Sequence, residues 1–236
     1  MSIALTDDHR ELAAVAGDFL TAHKARAAAR ELLDSADEVR PSFWADLAGL
    51  GWLGLHVEDR FGGSGFGLAE LVVVIEALGR AVAPGPFVPT VIASAVVAHC
   101  GDEEQKARLL PGLIDGTVAA GIGLAGSVQV RDGIADGSAG VVLGAGLADL
   151  LVIAAGDDVL LIDRNRAGVA VELPNSLDLT RRSGRVVFTG VAVGAADVLS
   201  GAAPAALARA RALLAAEAVG GAGDCLDTAV EYAKVR

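Results

Sequence analysis

Residues 43–65 read FWADLAGLGWLGLHVEDRFGGSG, and how this stretch is read decides the fold. Phe43, Leu47 and Leu50 recur at helical spacing just behind Ser42, a residue type whose hydroxyl accepts from the free N–H groups of a helix start. Gly51 then stands where helices commonly stop, because glycine takes a left-handed backbone at no steric cost. The remainder, on to Gly67, is too rich in glycine for a strand and reads as a turn-dense connector. Helical signals lie on both sides of it. Leu12, Val15, Phe19 and Leu20 follow the start signal Thr6-Asp7-Asp8, and Leu71, Val72, Ile75 and Leu78 form a stripe within residues 68–81. Pro84, Gly85 and Pro86 break the chain, and residues 87–100 are apolar enough for a buried helix. Asp102 starts another, with Glu103 and Glu104 in the first turn where the helix dipole favours acids. Pro111 is expected to end or kink that helix near Leu110.

The texture changes near Thr117. Short β-prone runs bounded by Gly and Asp follow at residues 118–124, 141–143, 150–155, 159–162, 169–173 and 185–193. Spacing of this kind predicts an antiparallel barrel or sandwich. From Pro204 the pattern is helical again, with Leu207, Leu213, Leu214, Ala218, Leu226 and Val230 as the expected inward positions. One helix cannot bury an apolar face alone, so further helices of this chain or another chain are expected to cover it. The fold class is therefore α+β: a helical domain over residues 1–116, a middle antiparallel β-domain over 117–200, and over 201–236 the first helix of a C-terminal helical domain.

Composition excludes several classes. The chain is 53% hydrophobic and 21% charged, which rules out disorder. Net charge −11 argues against nucleic acid and anionic lipid as partners. The best spanning candidate, residues 139–156, carries Asp149 and a Gly-rich half, so no membrane span is expected. The N-terminus MSIALTDDHRELAAV is acidic, unlike a secretory leader. Cys100 and Cys225 read as reduced thiols, small core hydrophobes of a cytoplasmic protein. The four histidines lack metal-ligand spacing, so no metal is expected. There is no nucleophile elbow or phosphate loop. Gly62-Gly63-Ser64-Gly65 reads as a tight turn and Gly220-Gly221-Ala222-Gly223 as close helix packing.

Several segments, in order, resemble the acyl-CoA dehydrogenase family. These are the opening stretch, EALGRAVAPGPFVPT, CGDEEQKARLLPGLIDG, SLDLTRRSGRVVFTGVAV and AEAVGGAGDCLDTAVEYAKVR, which together span about Leu5 to Arg236. The resemblance implies FAD and an acyl-CoA substrate. A carboxylate base takes the α-proton while the β-hydrogen leaves as hydride to flavin N5, giving α,β-dehydrogenation of the thioester. It also implies a homo- or hetero-oligomer with an acyl-CoA dehydrogenase-like chain. Flavin contacts fall on Leu124, Ala125, Val141 and Leu143, with Arg236 reaching the flavin phosphates of a neighbouring subunit, and Arg211 falls at a substrate-side arginine of the family.

The chain departs from the family pattern at those same places. The Thr-Glu-Pro loop before Ala-Gly-Ser-Asp is replaced within GIGLAGSVQVRDG. Val141 stands at the family's Trp and Leu143 at its Thr, so an aromatic wall and a hydroxyl donor become aliphatic. The family's Gln-Phe-Gly run and its catalytic carboxylate would lie beyond Arg236, so no catalytic residue is assigned within these 236 residues. Glu217 offers a replacement base, although a carboxylate on the surface or at an interface is the commoner state. Asp178, Arg181 and Arg182 read as charges that fix a turn. Two functions remain: an acyl-CoA dehydrogenase that is not competent through this chain alone, or a non-catalytic partner subunit in a heteromeric dehydrogenase, including one acting on steroid side-chain CoA thioesters.

Overall fold

The computed structural model describes residues 5–35 and 37–236. The first four residues of the acidic N-terminus lie outside the described part. Helix α1 (Asp7–Ala22) starts where the sequence signals it: the Thr6 hydroxyl accepts from His9 N at 3.2 Å, and His9 Nδ1 accepts from Thr6 N. A short helix, α2 (Ala25–Leu32), follows after Lys24, which holds a left-handed φ of 52°. It was not foreseen, because ARAAAREL carries a narrow apolar face of small residues, of which Ala25, Ala29 and Leu32 are buried.

The opening stretch folds as α3 (Trp44–Gly49), then single 3-10 turns at Trp52–Gly54 and Asp59–Phe61. Ser42 does not cap α3; the cap position is Phe43, with no side-chain hydrogen bond, and Pro41 O accepts from Trp44 N at 2.9 Å instead. Phe43, Leu47, Trp52 and Leu53 are buried. The glycine turn is required sterically: a Cβ on Gly63 would lie 2.0 Å from Val57 O. Helices α4 (Leu68–Ala81) and α5 (Phe87–Cys100) then cross the core, and α5 is buried along nearly its whole length.

Helix α6 (Glu103–Ile114) runs through Pro111 rather than ending at Leu110. The proline forfeits one N–H bond on a helix that has only three residues left, and α6 is anchored from its other end. Asp102 Oδ1 accepts from Gln105 N at 2.7 Å, and Gln105 Oε1 accepts from Asp102 N at 3.0 Å, a reciprocal cap. Gln105 Nε2 donates onward to Ala196 O and Val198 O, which ties α6 to the last strand. Asp102→Ala is expected to lower stability by about 1 kcal/mol, read as an earlier urea midpoint at unchanged slope.

Among the described residues the strands are β1 (Ala120–Gly123), β2 (Gln129–Arg131), β3 (Ile134–Leu143), β4 (Leu150–Ala155), β5 (Asp158–Asp163), β6 (Val169–Glu172), β7 (Ser183–Ala192) and β8 (Val198–Leu199). Their order is β6-β7-β3-β1-β4-β5-β8, with β2 paired to β3. The sheet is mixed: β1 and β4 run parallel, Ala120 opposite Leu150 through Gly123 opposite Ile153, while the other pairs are antiparallel. The departure from a wholly antiparallel sheet arises because the β2–β3 hairpin flanks β1 on one side and the chain returns on the other. One face of the sheet, through Ile122, Leu150 and Val152, packs on the helices; the opposite face, with Val142, Leu151 and Phe188, forms a second apolar core. Trp44 Nε1 and Arg40 both donate to Gly116 O, and Asp149 accepts from Arg40 and from Ala119 N, which fixes the sheet against the helices.

Helix α7 (Ala203–Val235) has 33 residues, about 50 Å of helix, against 14 residues in α4. Its inward residues are Ala206, Ala210, Leu213, Ala216 and Gly220. Of the expected inward set only Leu213 is buried, and Leu214, Leu226 and Val230 are exposed. Small residues face inward because α4 approaches α7 backbone to backbone. Cys225 is likewise exposed rather than in the core, while Cys100 is partly buried. Among the described residues, no helix is long and apolar enough to cross a membrane.

Candidate functional site

The strand period of two places Val141 and Leu143 on one face of β3 and Val142 on the other, inside the second core. Leu143 stands opposite Ile122 of β1, and the chain leaving β1 continues through Leu124 and Ala125. That loop lies down on β3. Gly140 holds φ 68° at a register irregularity, with its missing Cβ position 3.3 Å from Ala125 O, and Ser127 N donates to Ser138 O at 2.7 Å. Leu124, Ala125, Val141 and Leu143 are therefore brought together as one shelf beside the helical core. Leu124 packs partly into that core, and Val141 is 73% exposed.

Sequence reasoning missed one member of the shelf. Arg185 of β7 is the register partner of Val141, so its exposed guanidinium stands beside the shelf, where it makes no ion pair among the described residues. The pairing joins positions 44 residues apart in sequence (185 − 141), which no local pattern reveals.

Arg211 and Arg236 do not join the shelf together. Both are exposed, Arg211 on α7 and Arg236 just past its end, 25 residues apart (236 − 211), which is about 37 Å along the helix. Neither side chain has a hydrogen-bond partner among the described residues.

Glu217 has a different role from a free base. Arg181 grips both its oxygens, at 2.6 and 2.9 Å, and each side chain is only 17% exposed. Arg181 belongs to residues 173–182, which cross from β6 to β7, and Glu217 to α7. Asp178 accepts from Thr180 N and Oγ1 and shapes the turn there. Arg182 N donates to Glu38 Oε1 at 3.1 Å, and Arg182 Nη2 to Ser35 O at 2.7 Å. The charges thus do more than fix a turn: they tie the β-sheet to α7 and to the segment before α3. Burial pushes the Glu38 carboxyl above its ordinary value. The Arg181–Glu217 pair closes a groove of about 280 Å³ between α4 and α7.

Deeper in the helices, His56 Nε2 lies 3.1 Å from Ser94 Oγ, while its shielded Nδ1 has no partner among the described residues. Burial, reinforced by Arg209, lowers its pKa to about 4, so the ring is neutral. Among the described residues, no three His, Cys, Asp or Glu side chains converge on a metal-sized space.

The flavin ring implied by the sequence pattern fits this shelf poorly. The face it would meet presents Val141 and Leu143, aliphatic where the resemblance implies a ring to stack on and a hydroxyl donor, and Ser127 N is already engaged.

Comparison with known proteins places the geometry. Residues 6–117 match the family described as acyl-CoA dehydrogenase, N-terminal domain. The chain is 37% identical over 204 residues to acyl-CoA dehydrogenase FadE34 of Mycobacterium tuberculosis, covering 86% of this chain and 27% of that protein. It is 29% identical over 215 residues to acyl-CoA dehydrogenase IpdE2 of Mycolicibacterium smegmatis, covering 91% and 60%. The chain thus spans about a quarter of the first relative's length and three fifths of the second's. Among solved structures it resembles the ChsE4–ChsE5 complex from Mycobacterium tuberculosis, with TM-score 0.91 and 25% identity over 100% of this chain and 69% of that one. It also resembles a Tcur3481–Tcur3483 steroid ACAD variant, with TM-score 0.85 and 27% identity over 98% and 67%.

Proposed function

Because the chain belongs to the acyl-CoA dehydrogenase family, we propose that it serves as a subunit of an oligomeric acyl-CoA dehydrogenase and is not competent for the α,β-dehydrogenation of an acyl-CoA thioester by itself. The feature that carries this reading is the shelf: Val141, 73% exposed, and Leu143 are aliphatic where the family resemblance implies an aromatic ring and a hydroxyl. A site that must hold a planar, polar ring system in fixed orientation needs donors aimed at it. Here the same positions offer apolar surface with Arg185 alongside.

The partner, in this reading, is another acyl-CoA dehydrogenase-like chain that brings its own flavin face and catalytic carboxylate. Support comes from the similarity to the ChsE4–ChsE5 complex and to the Tcur3481–Tcur3483 protein; the second is a steroid ACAD, which favours a steroid-derived CoA thioester over a simple fatty one. The exposed side of α7 supports it too: Leu214, Val219 and Leu226 are apolar and uncovered, as a face awaiting further helices would be.

The test is the visible spectrum of the purified chain after addition of FAD and removal of the excess. The expected result is a colourless protein, with a flavin band appearing only when the chain is co-purified with an acyl-CoA dehydrogenase-like partner. The double variant Val141→Trp, Leu143→Thr should retain more flavin than the wild type. A chain that alone keeps one FAD through desalting would overturn the reading and return the cofactor to this shelf.

A further inference from the structure

Residues 173–182 cross between β6 and β7 without regular structure, and little of their length is bonded to the rest of the chain. Among the described residues, the only hydrogen bonds made by 174–180 are those of Asp178 with Thr180, inside the crossing itself. Leu177, midway along, is fully exposed. The two ends are held. Leu173 packs at the start, where a Cβ on Gly184 would lie 3.1 Å from its Cδ2. Arg182 is fixed at the finish, its N–H donating to Glu38 and its Nη2 to Ser35 O. Between these ends one ion pair reaches another element: the Arg181 guanidinium on both oxygens of Glu217 in α7.

That pair is well shielded but incompletely bonded. Each side chain is 17% exposed, so its charge-assisted bonds form largely away from water. Yet Arg181 Nε is shielded and has no acceptor among the described residues. A buried donor left unpaired costs the closed arrangement the water it gave up. The grip on two oxygens is therefore set against a penalty that is relieved when Arg181 swings out. We propose that residues 174–181 are a strap with two states, hinged at Leu173 and Arg182, closed by the Arg181–Glu217 latch and open when the latch parts.

Opening removes a wall. Asp178, Thr180 and Arg181 line one side of the groove of about 280 Å³, and Val82 and Leu214 line it from α4 and α7. With the strap out, the groove becomes an open cleft between the two helices, with the Glu217 carboxylate free at its edge. Arg182 stands three residues before Arg185 (185 − 182), the cation of the shelf on β7. The latch thus lies between the shelf's strand and α7, and a partner that binds one state better shifts the strap toward it. The two states do not depend on the subunit reading. A chain with no partner and no flavin still has them, so either statement can fail without the other.

Trypsin reads the latch directly, because it must draw the Arg181 side chain into its own pocket and cannot do so while Glu217 holds it. The full chain is digested briefly at several low urea concentrations, and the cut bonds are identified by mass. The wild type is expected to be cut after Arg181 at a rate that scarcely changes with urea, since opening a strap exposes little surface. Cleavage after Arg108, inside α6, should rise steeply with urea and so report unfolding of the whole chain. Glu217→Gln keeps an acceptor but removes the charge, and without urea should speed the Arg181 cut about tenfold while the Arg108 cut stays slow. Glu231→Gln, whose partner is Lys234 near the end of α7, should leave the Arg181 rate unchanged. An Arg181 cut that follows the Arg108 cut through the urea series would show that the strap opens only with the whole fold, and would overturn the proposal. So would a Glu217→Gln chain cut at the wild-type rate, because the latch would then hold nothing.

Discussion

Gly220→Ala is expected to lower stability by about 3 kcal/mol or more, the upper end of what overpacking costs. The added Cβ would sit 2.0 Å from Glu76 O, with Arg80 N 2.9 Å away. Both are backbone atoms of α4, so no rotamer change relieves the clash; the two helices must separate. Gly79 faces the reverse contact, with a Cβ position 2.2 Å from Glu217 O. Separation would also pull on Glu217, whose bidentate pair with Arg181 holds residues 173–182. The adjacent Gly221→Ala is the internal control. Its Cβ would meet only Gly79 O, at 3.7 Å, an ordinary contact. Helix propensity then favours the alanine by up to about 1 kcal/mol. Thermal melts should separate the two variants by roughly 10 °C or more in a chain of this size. Equal melting temperatures for both would mean that α4 and α7 do not approach as described.

This pair of glycines shows what the sequence could and could not reveal. The Gly220–Gly223 cluster announces close helix packing by composition alone, and the structure supplies the backbone that approaches. Which face of α7 turns inward was misread for the same reason. A periodic search weights Leu214, Leu226 and Val230 as core because they are large, yet a helix seated on another's backbone buries its small residues and leaves the large ones outside. Elements held by strong local signals were legible: the Thr6 cap of α1, the glycine turn after Gly51, the Asp102 cap of α6, and β4 residue for residue. Elements that exist only through pairing were not, such as the exposed strand β2, the two-residue β8, and the parallel β1–β4 contact. The shelf follows the same division. Val141 and Leu143 could be aligned to a pattern, but Arg185 beside Val141 follows from strand register, which depends on a partner far along the chain.

Stability should also fall as the solution is made mildly acidic, and His56 is the group responsible. In the folded chain its pKa is lowered to about 4, first by burial and then by the Arg209 charge, against an ordinary value of 6.5. The sign follows directly. Above pH 6.5 the ring is neutral folded or unfolded and contributes nothing; below it the unfolded chain binds a proton that the folded chain refuses. Stability is therefore lost progressively from pH 6.5 down to about 4, by about 3 kcal/mol in all, of which about 2 kcal/mol is gone by pH 5. Glu38 works in the opposite direction: its raised pKa lets the folded state take up a proton first, so its contribution grows as pH falls. The exposed carboxylates that arginines hold down, such as Glu58 beside Arg60, titrate below the ordinary carboxylate value and leave the upper part of this window to His56. His56→Gln keeps a polar group near Ser94 and removes the titration. Urea midpoints of wild type and His56→Gln measured between pH 7 and 5 should diverge, the wild type losing stability while the variant stays nearly level. Parallel profiles would show that His56 reaches water in the folded state, and that the Ser94 contact does not hold it in a shielded, neutral form.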